Sequence, residues 1–183
     1  MNRQPITAHI PGLRRYARVL TGDVWAADDL VQDTLERACT RWRLWQAGTD
    51  LRAWLFTLMH NVFISQVRQG LTRARLAPTV DLEDVAQELR APDTSTGFAI
   101  DLQRCLLRLP DDQRAMLLLV TLEEMSYEAV AKVTGVPIGT VMSRLSRARS
   151  RLRELLDEPK DRPAATEMGS TAPRSVPVLR RMK

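Results

Sequence analysis

Cysteine is scarce in this chain. Only Cys39 and Cys105 occur among 183 residues, with no CxxC spacing. That excludes a disulfide framework or a zinc finger as the organising device, and both cysteines are expected to be buried as small hydrophobes. Only two histidines are present, His9 and His60, too far apart in sequence to suggest a metal pair. No run of about 18 apolar residues exists, so no membrane-spanning helix is expected. The opening MNRQPITAHIPGLRR has no long apolar stretch, so no secretory signal is expected and a cytoplasmic location is. There is no glycine-rich phosphate loop, no cluster of metal ligands and no Ser/His/Asp grouping. The expectation is therefore a protein that is not an enzyme and needs no cofactor. No segment alternates convincingly at period two, so the fold class expected is all-α.

What the chain does have is 44% apolar and 27% charged residues, enough to bury a core over part of its length. Its 27 basic and 22 acidic residues give a net charge of +5. That balance suits contact with nucleic acid but is not a simple basic coat.

The most informative stretch runs from Ser126 to Leu156. Ser126 is placed to cap a helix, and Glu128 sits in its first turn, where the helix dipole favours an acid. Gly135 suits a left-handed helix end, and Pro137 suits the start of the next helix. There, Val141, Leu145, Ala148, Leu152 and Leu155 form one apolar stripe. Arg144, Arg147, Arg149, Arg151 and Arg153 lie around it, with Ser143 and Ser146 near the front. A short helix, a tight turn and a basic second helix describe a helix-turn-helix, whose front residues reach base edges while its arginines meet phosphates.

Upstream, residues 1–70 form a first unit. A short basic helix, Pro11 to Leu20, turns Leu13, Tyr16, Ala17 and Leu20 to one side. After Thr21-Gly22-Asp23, a second helix near Val24 to Arg41 carries Leu30, Val31, Thr34, Leu35 and Ala38 on its apolar face and Asp28, Asp29, Asp33 and Glu36 elsewhere. A third, about Leu51 to Arg68 and capped by Thr49 or Asp50, has the stripe Leu51, Trp54, Leu55, Leu58 and Val62. Trp54 belongs to that core; Trp42 and Trp45 are open between packing and base stacking. Residues 71–96 read as a linker, with Pro78, Pro92 and a short acidic segment at 81–85. The second unit, 97–156, adds a helix marked by Phe98, Leu102, Cys105, Leu106 and Leu109. A buried helix follows, started by Pro110 with Asp111 and Asp112 in its first turn. The tail, 157–183, is rich in proline and lacks periodicity, so disorder is expected.

These motifs, in this order, resemble bacterial sigma factors of the extracytoplasmic-function type, over about residues 1–156. DDLVQDTLERA at 28–38 is similar to the family's helix that docks on the RNA polymerase clamp. LRAWLFTLMHNVFISQVR at 51–68 is similar to its helix that reads the upstream edge of the melted minus-ten element. LPDDQR at 109–114 and GVPIGTVMSRLSRARSRLREL at 135–155 are similar to its minus-thirty-five domain.

The resemblance implies two small helical domains joined by a flexible linker: a sigma region 2-like bundle and a region 4-like helix-turn-helix. It implies a promoter-specificity subunit acting at stress- or envelope-responsive promoters, with core RNA polymerase and promoter DNA as partners. An anti-sigma factor that covers the same surfaces is also implied. Asp28, Asp29, Leu30, Gln32, Asp33 and Glu36 would bind core polymerase. Asn61, Ser65 and Arg68 would meet minus-ten DNA, with the loop Gln46 to Asp50 touching the single strand. Thr140, Met142, Ser143, Arg144, Ser146 and Arg147 would meet minus-thirty-five DNA. Met142 stands where the family often carries Arg or Lys. His60 departs from the pattern and is expected at the surface or facing phosphate. The rival reading is a stand-alone helix-turn-helix regulator that binds duplex DNA without polymerase.

Overall fold

A computed structural model of the protein describes residues 6–45, 49–76 and 97–157. Among them are seven α-helices and no strand, as the sequence pattern requires. A 3-10 turn, Ile6–His9, leads into α1 (Ile10–Thr21). Then come α2 (Val24–Thr40), a second 3-10 turn (Trp42–Leu44), α3 (Leu51–Leu76), α4 (Gly97–Leu107), α5 (Asp111–Thr121), α6 (Tyr127–Thr134) and α7 (Ile138–Asp157).

Local chemistry sets most boundaries. Gly22 ends α1 at φ +75° and returns its N–H to the Arg18 carbonyl. Asp23 starts α2 by accepting from the Ala26 N–H at 2.7 Å. Asp50 does the same for α3 through the Ala53 N–H at 3.2 Å. Ser126 caps α6 through the Ala129 N–H at 3.2 Å. The Glu128 carboxyl is held below the usual carboxylate range by its own backbone N–H and then by the Ser126 hydroxyl. Gly135, at φ +70°, closes α6, and the Pro137 carbonyl accepts the first N–H bonds of α7.

The first unit (α1–α3) buries the residues its periodicity marks: Leu13, Tyr16, Ala17 and Leu20 from α1, and Leu30, Val31, Thr34 and Ala38 from α2. In the second unit Val141, Leu145, Ala148 and Leu155 of α7 face α4 to α6. Arg114 in the LPDDQR segment reaches back from α5 to the carbonyls of Leu107 (3.2 Å) and Leu109 (3.1 Å) and pairs with Asp111. It thereby satisfies carbonyls that the end of α4 leaves free.

Three expectations are corrected. Helix α3 runs to Leu76 rather than Arg68, because Leu71 to Leu76 contains no breaker before Pro78. Cys39 is exposed, because it lies one residue off the buried face of α2 marked by Ala38; Cys105 is half-buried and donates to the Leu155 carbonyl. Phe98 is exposed, since α4 packs by its C-terminal half. The two expected helical units are both present, and they pack on each other, so that buried residues of both belong to one hydrophobic cluster. The acidic segment at 81–85, the loop residues 46–48 and the tail from 158 onward lie outside the described residues.

Ser126→Ala should lower stability by about 1 kcal/mol, as loss of a helix cap does, read as a shift of the urea midpoint at unchanged slope. No shift would mean that solvent serves the Ala129 N–H equally well.

Candidate nucleic-acid and protein interfaces

The exposed side of α2 carries a stripe at helical spacing. Trp25, Asp29, Gln32 and Glu36 follow one another at intervals of four and three, and all are exposed, Trp25 by 80%. Asp28 pairs with Arg14 at 3.2 Å, and Asp33 accepts from Gln66 Nε2 at 3.0 Å. Leu30, grouped with these on sequence grounds, is fully buried; it supports the stripe from beneath rather than joining it. Trp25 was not singled out from sequence. A large exposed aromatic beside a row of acids has the composition of an interface anchor with a charged rim.

On α3, Asn61 and Arg68 are exposed and Ser65 is half-buried. Their spacing of four and three places all three on one helix face. Next to Asn61, His60 is buried, with 7% of its surface exposed, which corrects the expectation of a surface histidine. Burial pushes its pKa down to about 4, opposed by Asp112 and aided by Arg144. Its Nδ1 has no hydrogen-bond partner among the described residues.

Met142, Ser143, Ser146 and Arg147 are exposed at the front of α7, and Thr140 is half-buried. Ser143 Oγ donates to the Thr140 carbonyl at 3.0 Å, and Arg147 Nε to the Ser143 carbonyl at 3.3 Å. These bonds lie along the helix and leave the front face open. Arg144 differs: it pairs with Asp112 of α5 at 2.9 Å and so braces α7 against its own unit. Trp42 lies tilted against Trp45, with ring centres 5.1 Å apart, and edge-on to Trp54 at 6.2 Å, so the two undecided tryptophans are packing residues.

The two units meet along α1 and α3 on one side and α5 and α6 on the other. Tyr16 Oη donates to the Ala115 carbonyl at 3.2 Å, and its ring stands edge-on to Phe56 at 5.3 Å. Burial drives its phenol pKa strongly up, with Glu123 adding and Arg114 opposing. The Arg114 guanidinium lies 6.0 Å from the centre of the Phe63 ring, and Gln103 Nε2 donates to the Val19 carbonyl at 3.0 Å. Leu107 presses on Gly22 so closely that a Cβ there would lie 2.5 Å from a Leu107 methyl. Glu123, between α5 and α6, is 2% exposed and ion-paired with Arg15 at 2.8 Å and Arg52 at 2.7 Å. Sequence reasoning missed this trio, whose partners are about 70 and 110 positions apart. Its only sequence signal is an acid set between Leu122 and Met125. Beside the interface, Val19, Leu102, Leu106, Leu117, Leu118, Leu122 and Leu152 line an apolar groove of about 480 Å³.

No described helix is long and apolar enough to cross a membrane, and no group of metal ligands occurs among the described residues.

Comparison with known proteins gives a consistent result. A family described as the Sigma2 domain of PhyR matches residues 6–60, and sigma-70 region 4 matches residues 99–152. The ECF RNA polymerase sigma factor EcfG of Rhodopseudomonas palustris (strain TIE-1) is 40% identical over 156 residues, 84% of each chain. SigM of Mycobacterium tuberculosis is 35% identical over 149 residues, 81% of this chain and 73% of SigM. The solved structure of the sigma factor RpoE from Bartonella quintana, in complex with the anti-sigma factor NepR, matches with a TM-score of 0.71. It is 38% identical, covering 87% of this chain and 98% of that one.

Folding should become pH-dependent through His60. Its folded pKa of about 4 lies below the ordinary 6.5. Above pH 6.5 the group is neutral folded and unfolded; as pH falls from 6.5 towards 4, only the unfolded chain takes up the proton and stability is lost. The difference in unfolding free energy between the wild type and His60→Gln should therefore shrink by up to about 3 kcal/mol from pH 7 to pH 4. A difference that stays constant over that range would contradict a buried neutral imidazole.

Proposed function

Taking as premise that the chain belongs to the extracytoplasmic-function sigma factors of the sigma-70 family, we propose that it directs core RNA polymerase to stress- or envelope-responsive promoters and acts in the cytoplasm. The observation that carries this reading is the joint presence of a region 2 unit and a region 4 helix-turn-helix in one chain. A stand-alone regulator needs only the second.

In this reading α2 docks on polymerase. Trp25 enters an apolar recess, and Asp29, Gln32, Asp33 and Glu36 meet a basic rim, which contributes more to rate and orientation than to affinity. On α3, Asn61 offers a donor and an acceptor to a base edge, Ser65 lies one turn on, and Arg68 meets phosphate. Extruding a base costs a few kcal/mol, which these contacts offset. Thr140, Met142, Ser143, Ser146 and Arg147 enter the major groove at the minus-thirty-five element. Met142 cannot pair with guanine as Arg does, so apolar contact with a thymine methyl is the discrimination assigned to it. Chemistry belongs to the polymerase; the chain supplies position.

An anti-sigma protein is the remaining partner. The apolar groove beside Val19 and Leu152, with Arg149 at its edge, suits the apolar face of an amphipathic helix with acidic flanks. That RpoE was solved bound to NepR supports this assignment.

Two substitutions separate the roles. Trp25→Ala should weaken capture of core polymerase by roughly tenfold or more, as loss of a buried aromatic anchor does, with fold and helix content unchanged. Asn61→Ala should leave capture intact and reduce promoter opening, read by permanganate reactivity at the minus-ten thymines. Normal opening by Asn61→Ala would remove that residue from base reading, and failure of the wild type to bind core polymerase would refute the function itself.

A further inference from the structure

The interface between the units is built around one buried carboxylate. Glu123 belongs to the turn that opens the helix-turn-helix, yet its side chain reaches into the first unit. Oε1 accepts from Arg15 Nη2 of α1 at 2.8 Å, and Oε2 from Arg52 Nη2 of α3 at 2.7 Å. The same arginines hold the turn's backbone: Arg15 Nη2 also donates to the Leu122 carbonyl at 3.2 Å, and Arg52 Nη2 to the Glu123 carbonyl at 2.7 Å. Arg52 is further fixed over the Phe56 ring at 5.5 Å.

The backbone is shaped to deliver this contact. Glu124 takes φ +52°, the only positive φ outside glycine among the described residues. A non-glycine residue held there costs about 1 kcal/mol and persists where its surroundings demand it. On the facing helix, the space above Gly12 is occupied by Glu123 Oε2, which a Cβ at that position would meet at 3.5 Å.

This arrangement sets α3, which would read the minus-ten element, against α5 and α6 of the unit that carries α7. Arg144 of α7 and its partner Asp112 of α5 both bear on the charge of His60, the immediate neighbour of Asn61 on α3. The promoter elements these helices would read are named for positions about 25 base pairs apart, roughly 85 Å along B-form DNA at 34–36 Å per turn. Helices packed in one core cannot occupy both sites. The 20 residues between Leu76 and Gly97 span at most about 70 Å when extended, so, with the bodies of the units added, the separated arrangement is within reach of the chain.

We infer that the Glu123–Arg15–Arg52 cluster is an autoinhibitory clasp that holds the two units in a closed form unable to span a promoter. The clasp rests on the geometry, and its regulatory meaning rests on the function proposed above. Removing Arg15 or Arg52 leaves the buried Glu123 carboxylate short of a partner, and removing the carboxylate takes away the group that both arginines hold across the interface, so each member bears on the equilibrium. Because only the open form spans a promoter, the apparent affinity for promoter DNA on polymerase is reduced by the fraction of open form. Closure also completes the apolar groove, since Val19 comes from α1 and its other walls from α4, α5 and α7. A ligand of that groove therefore favours the closed state by its differential affinity.

The test is a distance measurement on the full chain by pulsed electron paramagnetic resonance. Spin labels are placed at the exposed Cys39 of α2 and at Ser150→Cys on the exposed side of α7, in a Cys105→Ser background. The wild type should give one narrow, short distance. Glu123→Gln should add a broad, longer population and raise the open-to-closed ratio about tenfold, through the loss of two charge-assisted contacts across the interface. Arg52→Gln and Arg15→Gln, whose side chains are partly exposed, should shift it the same way and carry the test should Glu123→Gln lose helical signal. A wild type already broad, or three variants that keep its narrow peak, would overturn the clasp. In parallel, the binding of promoter DNA by the chain on core polymerase should tighten for the same variants. Opened variants with unchanged promoter affinity would refute autoinhibition. A longer distance in a chain that no form of polymerase binds would uphold the clasp and refute the function on which its regulatory meaning rests.

Discussion

A carboxylate taken out of water must find partners, and Glu123 finds them in the other half of the molecule. Burying a charge is unfavourable unless pairing and hydrogen bonds compensate. Here two guanidiniums and a well-packed surround do so, with Arg52 bonding at once to the Glu123 carboxylate and its carbonyl. Everything else at the boundary is consistent with a single seated arrangement: Tyr16 Oη on the Ala115 carbonyl, Gln103 on the Val19 carbonyl, Leu107 against Gly22. The apolar surfaces supply attraction without direction, and the polar contacts set the register in which the units meet.

That register gives His60 its character. A histidine on an exposed helix face titrates near neutrality. On α3 it is covered by the second unit, with Asp112 and Arg144 nearby, and stays neutral to about pH 4. The same covering explains why α3 is apolar on more than one side. Leu51, Leu55, Leu58 and Val62 form the stripe that periodicity marks, while Phe56, Met59 and Phe63 add a further buried row, in which Phe56 meets Tyr16 of its own unit and Phe63 the Arg114 guanidinium of the second. Asn61, Ser65 and Arg68 stay on the face that remains accessible.

Much of the fold was legible because helices are written locally. Ser126, Gly135 and the Val141 to Leu155 stripe act over three or four residues, and each stands where its spacing implies. The row Phe56, Met59, Phe63 was also present in the sequence at helical spacing, but its meaning depends on a partner surface that periodicity does not identify. Cys39 and Phe98 were misplaced for a related reason: one helical position, or one turn beyond the packed half, separates burial from solvent. Of the candidate site residues, Asp29, Asn61 and Ser146 stand exposed on the helix faces that the motif spacing marks. The site was not legible where tertiary placement decides, which tied Arg144 to Asp112 and left Trp25 as the exposed aromatic; the burial of Leu30 follows from its place on the apolar face of α2. Glu123, Arg15 and Arg52 are joined only by the way the chain folds back on itself.

The chain belongs to the extracytoplasmic-function sigma factors, and the surfaces proposed for polymerase, for DNA and for an inhibitor lie within its described helices, where the closed arrangement would couple them. The most direct test of that coupling is hydrogen–deuterium exchange of the full chain, alone and bound to core RNA polymerase with promoter DNA. The account requires the α5–α6 turn around Glu123 and the α3 segment from Phe56 to Phe63 to be protected in the free chain. In the complex the turn should exchange faster, while the α2 stripe from Trp25 to Glu36 becomes protected. Undiminished protection of the turn in the promoter complex would contradict the account, because the two reading helices would then remain together on DNA.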